Sequence, residues 1–149
     1  MSRLLIKNGR VIDPANNIDR VTNVYIGDGR ILRLGETDDD FQADEIIDAT
    51  DHYVIPGIVD ISARLREPGL EYKADIASET VAATTAGITT LCIPPDTDPV
   101  IDEPAVVELI HRKVKNTGHA NVVALGALTA GLKGEHLSEM AALKTAGCV

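Results

Sequence analysis

The pattern of the chain changes at Pro56-Gly57, and that change limits the folds open to it. Before it, short apolar runs are separated by turn signals. Leu4-Leu5-Ile6-Lys7 and Arg10-Val11-Ile12 flank Asn8-Gly9, a dipeptide that accepts the positive φ angles of a type I′ hairpin. Val24-Tyr25-Ile26 and Arg30-Ile31-Leu32 flank Gly27-Asp28-Gly29, a second hairpin signal. Residues 45–48 and 52–55 read as two further short strands. The first 55 residues are therefore expected to form a small antiparallel β unit.

After Pro56-Gly57, strand and helix patterns alternate. Ile58-Val59-Asp60-Ile61 is a short run of buried-strand type, and 73–86 reads as a helix stopped by Gly87. A strand over 88–93 follows. Asp102 can then cap a helix with Pro104 in its first turn and Val106, Val107, Ile110 and Val114 on one face. A third strand over 121–128 and a third helix over 135–146, ended by Gly147, complete the series. Repeated βα units imply a parallel sheet, so the fold class is α/β. Three such units fill about 90 residues, whereas a closed (β/α)8 barrel typically takes ~250. If the sheet belongs to a barrel, the chain is expected to be incomplete.

Composition narrows the function. Of the 149 residues 44% are hydrophobic and only 3% aromatic, so the core must be aliphatic. A net charge of −9 gives no basic footprint for nucleic acid. The acidic run Asp38-Asp39-Asp40 fits a solvated loop. Cys92 and Cys148 lie in apolar surroundings without metal or redox spacing, as expected of small buried residues in a reducing cytosol. No window approaches the ~20 apolar residues of a membrane span, and a cytoplasmic location is expected.

Several motifs then occur in order. They are Pro56-Gly57-Ile58-Val59-Asp60, Leu65-Arg66-Glu67-Pro68-Gly69, Glu71-Tyr72-Lys73, Ala86-Gly87-Ile88-Thr89-Thr90 and Asp96-Thr97-Asp98-Pro99-Val100. Gly126-Ala127-Leu128-Thr129 and Gly131-Leu132-Lys133-Gly134 extend the set. Together they resemble the class I dihydroorotases of the amidohydrolase superfamily. The resemblance implies a β-sandwich built from both chain ends, with residues 1–55 as its N-terminal share. Residues 56–149 would supply the first three βα units of a TIM-like (β/α)8 barrel.

Members of that family carry Asp-x-His-x-His at the end of the first barrel strand. Alternation along the strand turns both histidines to one face, where they bind zinc. The metal lowers the pKa of its bound water to about 7 and supplies hydroxide for attack on a cyclic amide. Here the segment reads Asp60-Ile61-Ser62-Ala63-Arg64, so the two ligand positions hold Ser62 and Arg64. A serine hydroxyl is a poor zinc ligand, and arginine has no lone pair to give and stays charged. Its charge would repel a divalent cation by several kcal/mol at an effective dielectric of about 20. His52, His111, His119 and His136 have no partner histidine at i+2 or i+4 and are expected to be surface or supporting residues. No catalytic residue, metal or other cofactor is therefore expected, although zinc is expected in active relatives.

The substrate side, by the same resemblance, is half retained. The arginine that holds a substrate carboxylate is kept as Arg66, but the asparagine of the family's Met-Pro-Asn-Thr turn is Asp96, in Pro94-Pro95-Asp96-Thr97. Asp96 would oppose an anionic substrate. An Arg64–Asp96 ion pair would give both substitutions a structural use. The resemblance thus implies a non-catalytic dihydroorotase homologue in pyrimidine biosynthesis. Its expected partners are the aspartate transcarbamoylase catalytic chain, as an assembly factor, and further copies of itself. Two alternatives are an active cyclic amidohydrolase with an altered metal site and a dihydropyrimidinase-like scaffold protein.

Overall fold

A computed structural model of the chain describes residues 3–36 and 40–149. It contains two compact units, Met1–Pro56 and Gly57–Val149. Asp38 and Asp39 lie outside the described residues, and Asp40 is exposed.

The first unit is organised by one long strand. β1 (Arg3–Asp13) runs straight through Asn8-Gly9, so the expected hairpin is absent there. Asn8 does take a positive φ of 63°, but it serves a bulge, where the pairing register shifts between Ile6 and Gly9. The Asn8 amide donates to Asn23 Oδ1 at 3.0 Å. Gly9 is required by close approach, since a Cβ there would lie 2.5 Å from Val54 Cγ2. The chain reverses later, in a single 3-10 turn over Pro14–Asn16 capped by Asp13, whose carboxylate accepts from the Ala15 amide.

β2 (Ile18–Gly27) returns antiparallel to β1, and β3 (Arg30–Gly35) pairs antiparallel with β2. The turn between them is the expected one, with Asp28 at φ 54° and Gly29 at φ 72°. β4 (Glu45–Asp48) and β5 (Tyr53–Val54) both pair with β1 in parallel. The unit is therefore a mixed sheet and not an antiparallel one. Parallel pairing needs a crossover, which turn signals in the sequence do not reveal.

The second unit alternates strand and helix. β6 (Ile58–Asp60), β7 (Ile88–Ile93) and β8 (Asn121–Ala124) form a parallel sheet in that order. α1 (Ile76–Thr85), α2 (Pro104–Thr117) and α3 (Met140–Ala146) follow successive strands. Leu91, Ile93, Val122 and Ala124 from the sheet meet Ile76, Val106, Val107, Ile110 and Leu143 in one aliphatic core, joined by buried Cys148. Val114 packs against that core as the pattern predicts. Burial pushes the Cys148 thiol pKa up, while Cys92 is only half buried.

Capping explains where the helices begin. α1 starts at Ile76 and not at Lys73, because Asp75 accepts from the Ser78 amide at 2.7 Å and Ser78 Oγ accepts from the Asp75 amide at 3.2 Å. The Ser78 amide holds the Asp75 carboxyl below its usual pKa. Asp102 does not cap α2. Its carboxylate accepts from the Gly131 amide at 2.6 Å, and Glu103 occupies the cap position without a side-chain bond. α3 is shorter than the periodicity suggests, since 135–139 is engaged elsewhere: Leu137 bridges Thr129 and Ser138 donates to the carbonyls of Ala127 and Leu128. Similarly, β8 stops at Ala124 as the chain turns into the loop that meets Ile101. Among the described residues no helix is long and apolar enough to cross a membrane.

Candidate functional site

The loops that leave the carboxyl ends of β6 and β7 bring together Arg64, Arg66 and Asp96, three of the four residues expected from sequence, while Ser62 lies outside the hollow they line. Ile61 to Leu70 leaves β6, and Pro94 to Asp102 leaves β7. They meet in a shallow hollow lined by Arg64, Leu65, Arg66, Pro68, Leu70, Ile93, Pro94, Asp96 and Thr97. This is the strand end at which parallel α/β folds place their sites.

Arg64 and Asp96 are paired, with Arg64 Nε donating to Asp96 Oδ2 at 2.7 Å. Both side chains are about half exposed, at 52% and 43%. Ser62 is exposed, and its amide donates to Asp60 Oδ1 at 2.9 Å, which turns the chain sharply at the end of β6. Arg66 is half buried and makes no side-chain hydrogen bond or ion pair among the described residues. With Arg64 neutralised by Asp96, Arg66 leaves the hollow one net positive charge.

Arg66 sits on a constrained segment. Its φ is 68°, in the left-handed region that costs a non-glycine residue energy. Leu65 on one side is 2% exposed and belongs to the core. Glu67 on the other side is 6% exposed, and its carboxylate accepts from the Ile76 amide at 2.9 Å at the start of α1. The same carboxylate meets Lys113 Nζ of α2 at 2.8 Å, and this contact raises the Lys113 pKa. Gly69 (φ 101°) lies directly against Asp98, whose carbonyl oxygen would be 2.3 Å from any Cβ added there.

The role of Glu67 and Lys113 is not legible in the sequence. Glu67 lies within Leu65-Arg66-Glu67-Pro68-Gly69, but no spacing along the chain links it to a lysine on the polar side of α2. The Glu67→Ala variant is expected to lose about 1–3 kcal/mol of stability, because the Ile76 amide is left buried without an acceptor. Chemical denaturation checks this, and a loss under about 0.5 kcal/mol, within the usual range for surface changes, counts against it.

The residues present do not fit the zinc that the resemblance implies. Arg64 offers no lone pair and is already engaged with Asp96. Among the described residues no three His, Cys, Asp or Glu side chains stand close enough to share a metal ion. His52 Nδ1 contacts the Thr50 carbonyl at 2.7 Å in the first unit, and the other histidines are exposed.

The architecture matches known hydrolases. The L-hydantoinase (dihydropyrimidinase) from Arthrobacter aurescens has a TM-score of 0.74 at 21% identity, over 87% of this chain and 28% of that one. A D-hydantoinase gives a TM-score of 0.72 at 26% identity. The fold is thus the one found in hydrolases of the amidohydrolase superfamily. Residues 51–149 match a family model described as "Dihydro-orotase-like". A "Dihydroorotase-like protein" of Pseudomonas aeruginosa is 46% identical over 97% of this chain. A "Dihydroorotase" of Syntrophotalea carbinolica is 48% identical over 99% of it. The chain belongs to the dihydroorotase-like family, and it spans 34% of the length of each of these two relatives.

Proposed function

We propose that the protein is a non-catalytic dihydroorotase homologue of pyrimidine biosynthesis that serves the assembly of the aspartate transcarbamoylase catalytic chain. In this reading β6, β7 and β8 are the first three strands of a (β/α)8 barrel, and residues 1–55 are part of a β-sandwich. Arg66 and Asp96 are vestiges of a substrate site, and Ser62 and Arg64 stand at former metal-ligand positions. One observation supports it above the others: Arg64 is held by Asp96 at 2.7 Å, so a carboxylate-binding position and a metal-ligand position neutralise each other. A homo-oligomeric state and a cytoplasmic location belong to the same proposal.

The competing reading is an active dihydroorotase with an altered metal site. It is favoured by relatives named "Dihydroorotase" at 44–48% identity. Against it stands the chemistry of Ser62 and Arg64, neither of which donates a lone pair readily to zinc. A dihydropyrimidinase-like scaffold has only the likeness of fold behind it.

Full-length protein is expected to carry less than one zinc per ten chains and to show no dihydroorotase turnover with zinc supplied. Elemental analysis and a hydrolysis assay decide this; one tightly bound metal per chain, or turnover, would favour the competing reading. Co-purification with aspartate transcarbamoylase tests the assembly role.

A further inference from the structure

The Arg64–Asp96 pair occupies a particular place between two loops. Two backbone hydrogen bonds flank it: the Ala63 amide of the β6 loop donates to the Cys92 carbonyl near the end of β7 at 2.9 Å, and the Asp98 amide of the β7 loop donates to the Pro68 carbonyl of the β6 loop at 3.2 Å. The pair thus lies in the middle of a seam. On the side of β8 the seam is different, with the Leu125 amide donating to Ile93 and the Ala127 amide to Ile101.

Both partners are set in place before they meet. Arg64 stands between Ala63, packed against the core, and Leu65, buried within it. Asp96 follows Pro94-Pro95, whose rings restrict the backbone. An exposed ion pair is usually weak because two long side chains must be ordered to form it. Here much of that ordering is already done by the chain on each side. Without Arg64, the β7 loop would present Asp96 and Asp98 to a hollow whose other lining cation is Arg66.

Resting on the reading of Ser62 and Arg64 as former ligand positions, we propose that Arg64 is a built-in cation. Its guanidinium, paired with Asp96, clamps the β6 loop to the β7 loop where relatives of this family hold a metal ion. The clamp keeps the loop bearing Arg66 in one conformation without any bound ion.

Amide hydrogen exchange in the full-length protein tests this at Ala63 and Asp98. Arg64→Met and Asp96→Asn are each expected to speed exchange at both amides about three- to fivefold, with Leu125 and Ala127 unchanged. The double variant should exchange no faster than the faster single one. If Arg64→Met fails to fold, Asp96→Asn breaks the pair with little change of shape and gives the same information. In 1 M salt, where the Debye length is about 3 Å, exchange in the unaltered protein should rise toward that of the variants. Unchanged exchange in both single variants, or additive effects in the double one, overturns the clamp and leaves the proposed function standing. Slower exchange on adding zinc to the unaltered protein overturns the reading of the ligand positions itself.

Discussion

Full-length protein carrying Ser62→His together with Arg64→His is expected to remain at least about a hundredfold below an ordinary dihydroorotase in turnover. In the proposed reading, the two changes supply the imidazoles of the family's metal site and remove the guanidinium from it. They also release Asp96, which Arg64 neutralises at 2.7 Å. On that same proposed reading, a free carboxylate would then face the acid group of a dihydroorotase substrate beside Arg66, in the hollow that both residues line. Like charges in one pocket oppose binding, and a misplaced substrate loses rate steeply. Adding Asp96→Asn should recover more activity than the two histidines alone. Recovery to the ordinary level by the histidines alone would show that Asp96 is harmless to the substrate.

Gly69→Ala is expected to cost at least about 3 kcal/mol of stability, from backbone strain and a collision together. The strain comes from φ 101°, and the collision from the Asp98 carbonyl oxygen 2.3 Å from the added Cβ. Because that atom is backbone, a rotamer change cannot relieve the contact. Gly87→Ala serves as the control. Gly87 also has a positive φ, 83°, but no atom lies within 4 Å of an added Cβ. It should cost only about 1 kcal/mol. Equal losses for the two variants, measured by chemical denaturation, would mean that the two loops do not press together at Gly69.

The fold is most legible in the sequence where local chemistry decides structure. The Gly27-Asp28-Gly29 turn, the strand over 88–93 and the apolar face of α2 are short-range features, and all are present. The Arg64–Asp96 contact could also be anticipated, because the family resemblance placed two complementary charges in one pocket. Long-range competition was not legible. Asn8-Gly9 would suit a hairpin, yet β4 and β5 hold β1 straight from its other edge. Asp102 has the chemistry of a helix cap, yet the Gly131 amide engages it first. Glu67, on the β6 loop, bonds the first residue of α1 and meets Lys113 of α2, and no spacing along the chain announces that contact.

The position of β1 at the centre of its sheet has a consequence for the order in which the first unit assembles. Leu4 pairs with Ile26 on one edge and with Glu45 on the other, and Arg10 with Val21 and with Tyr53. During synthesis, the β1–β2 ribbon can close as soon as both strands have emerged. Its second edge stays open until residues 45–54 follow, since the parallel partners lie far from β1 along the chain. Closing such a connection costs entropy before any pairing rewards it, so the parallel pairings are expected to form after the β1–β2 ribbon. Until then the nascent ribbon offers an unpaired apolar edge to its neighbours, the situation in which a chaperone has most to contribute.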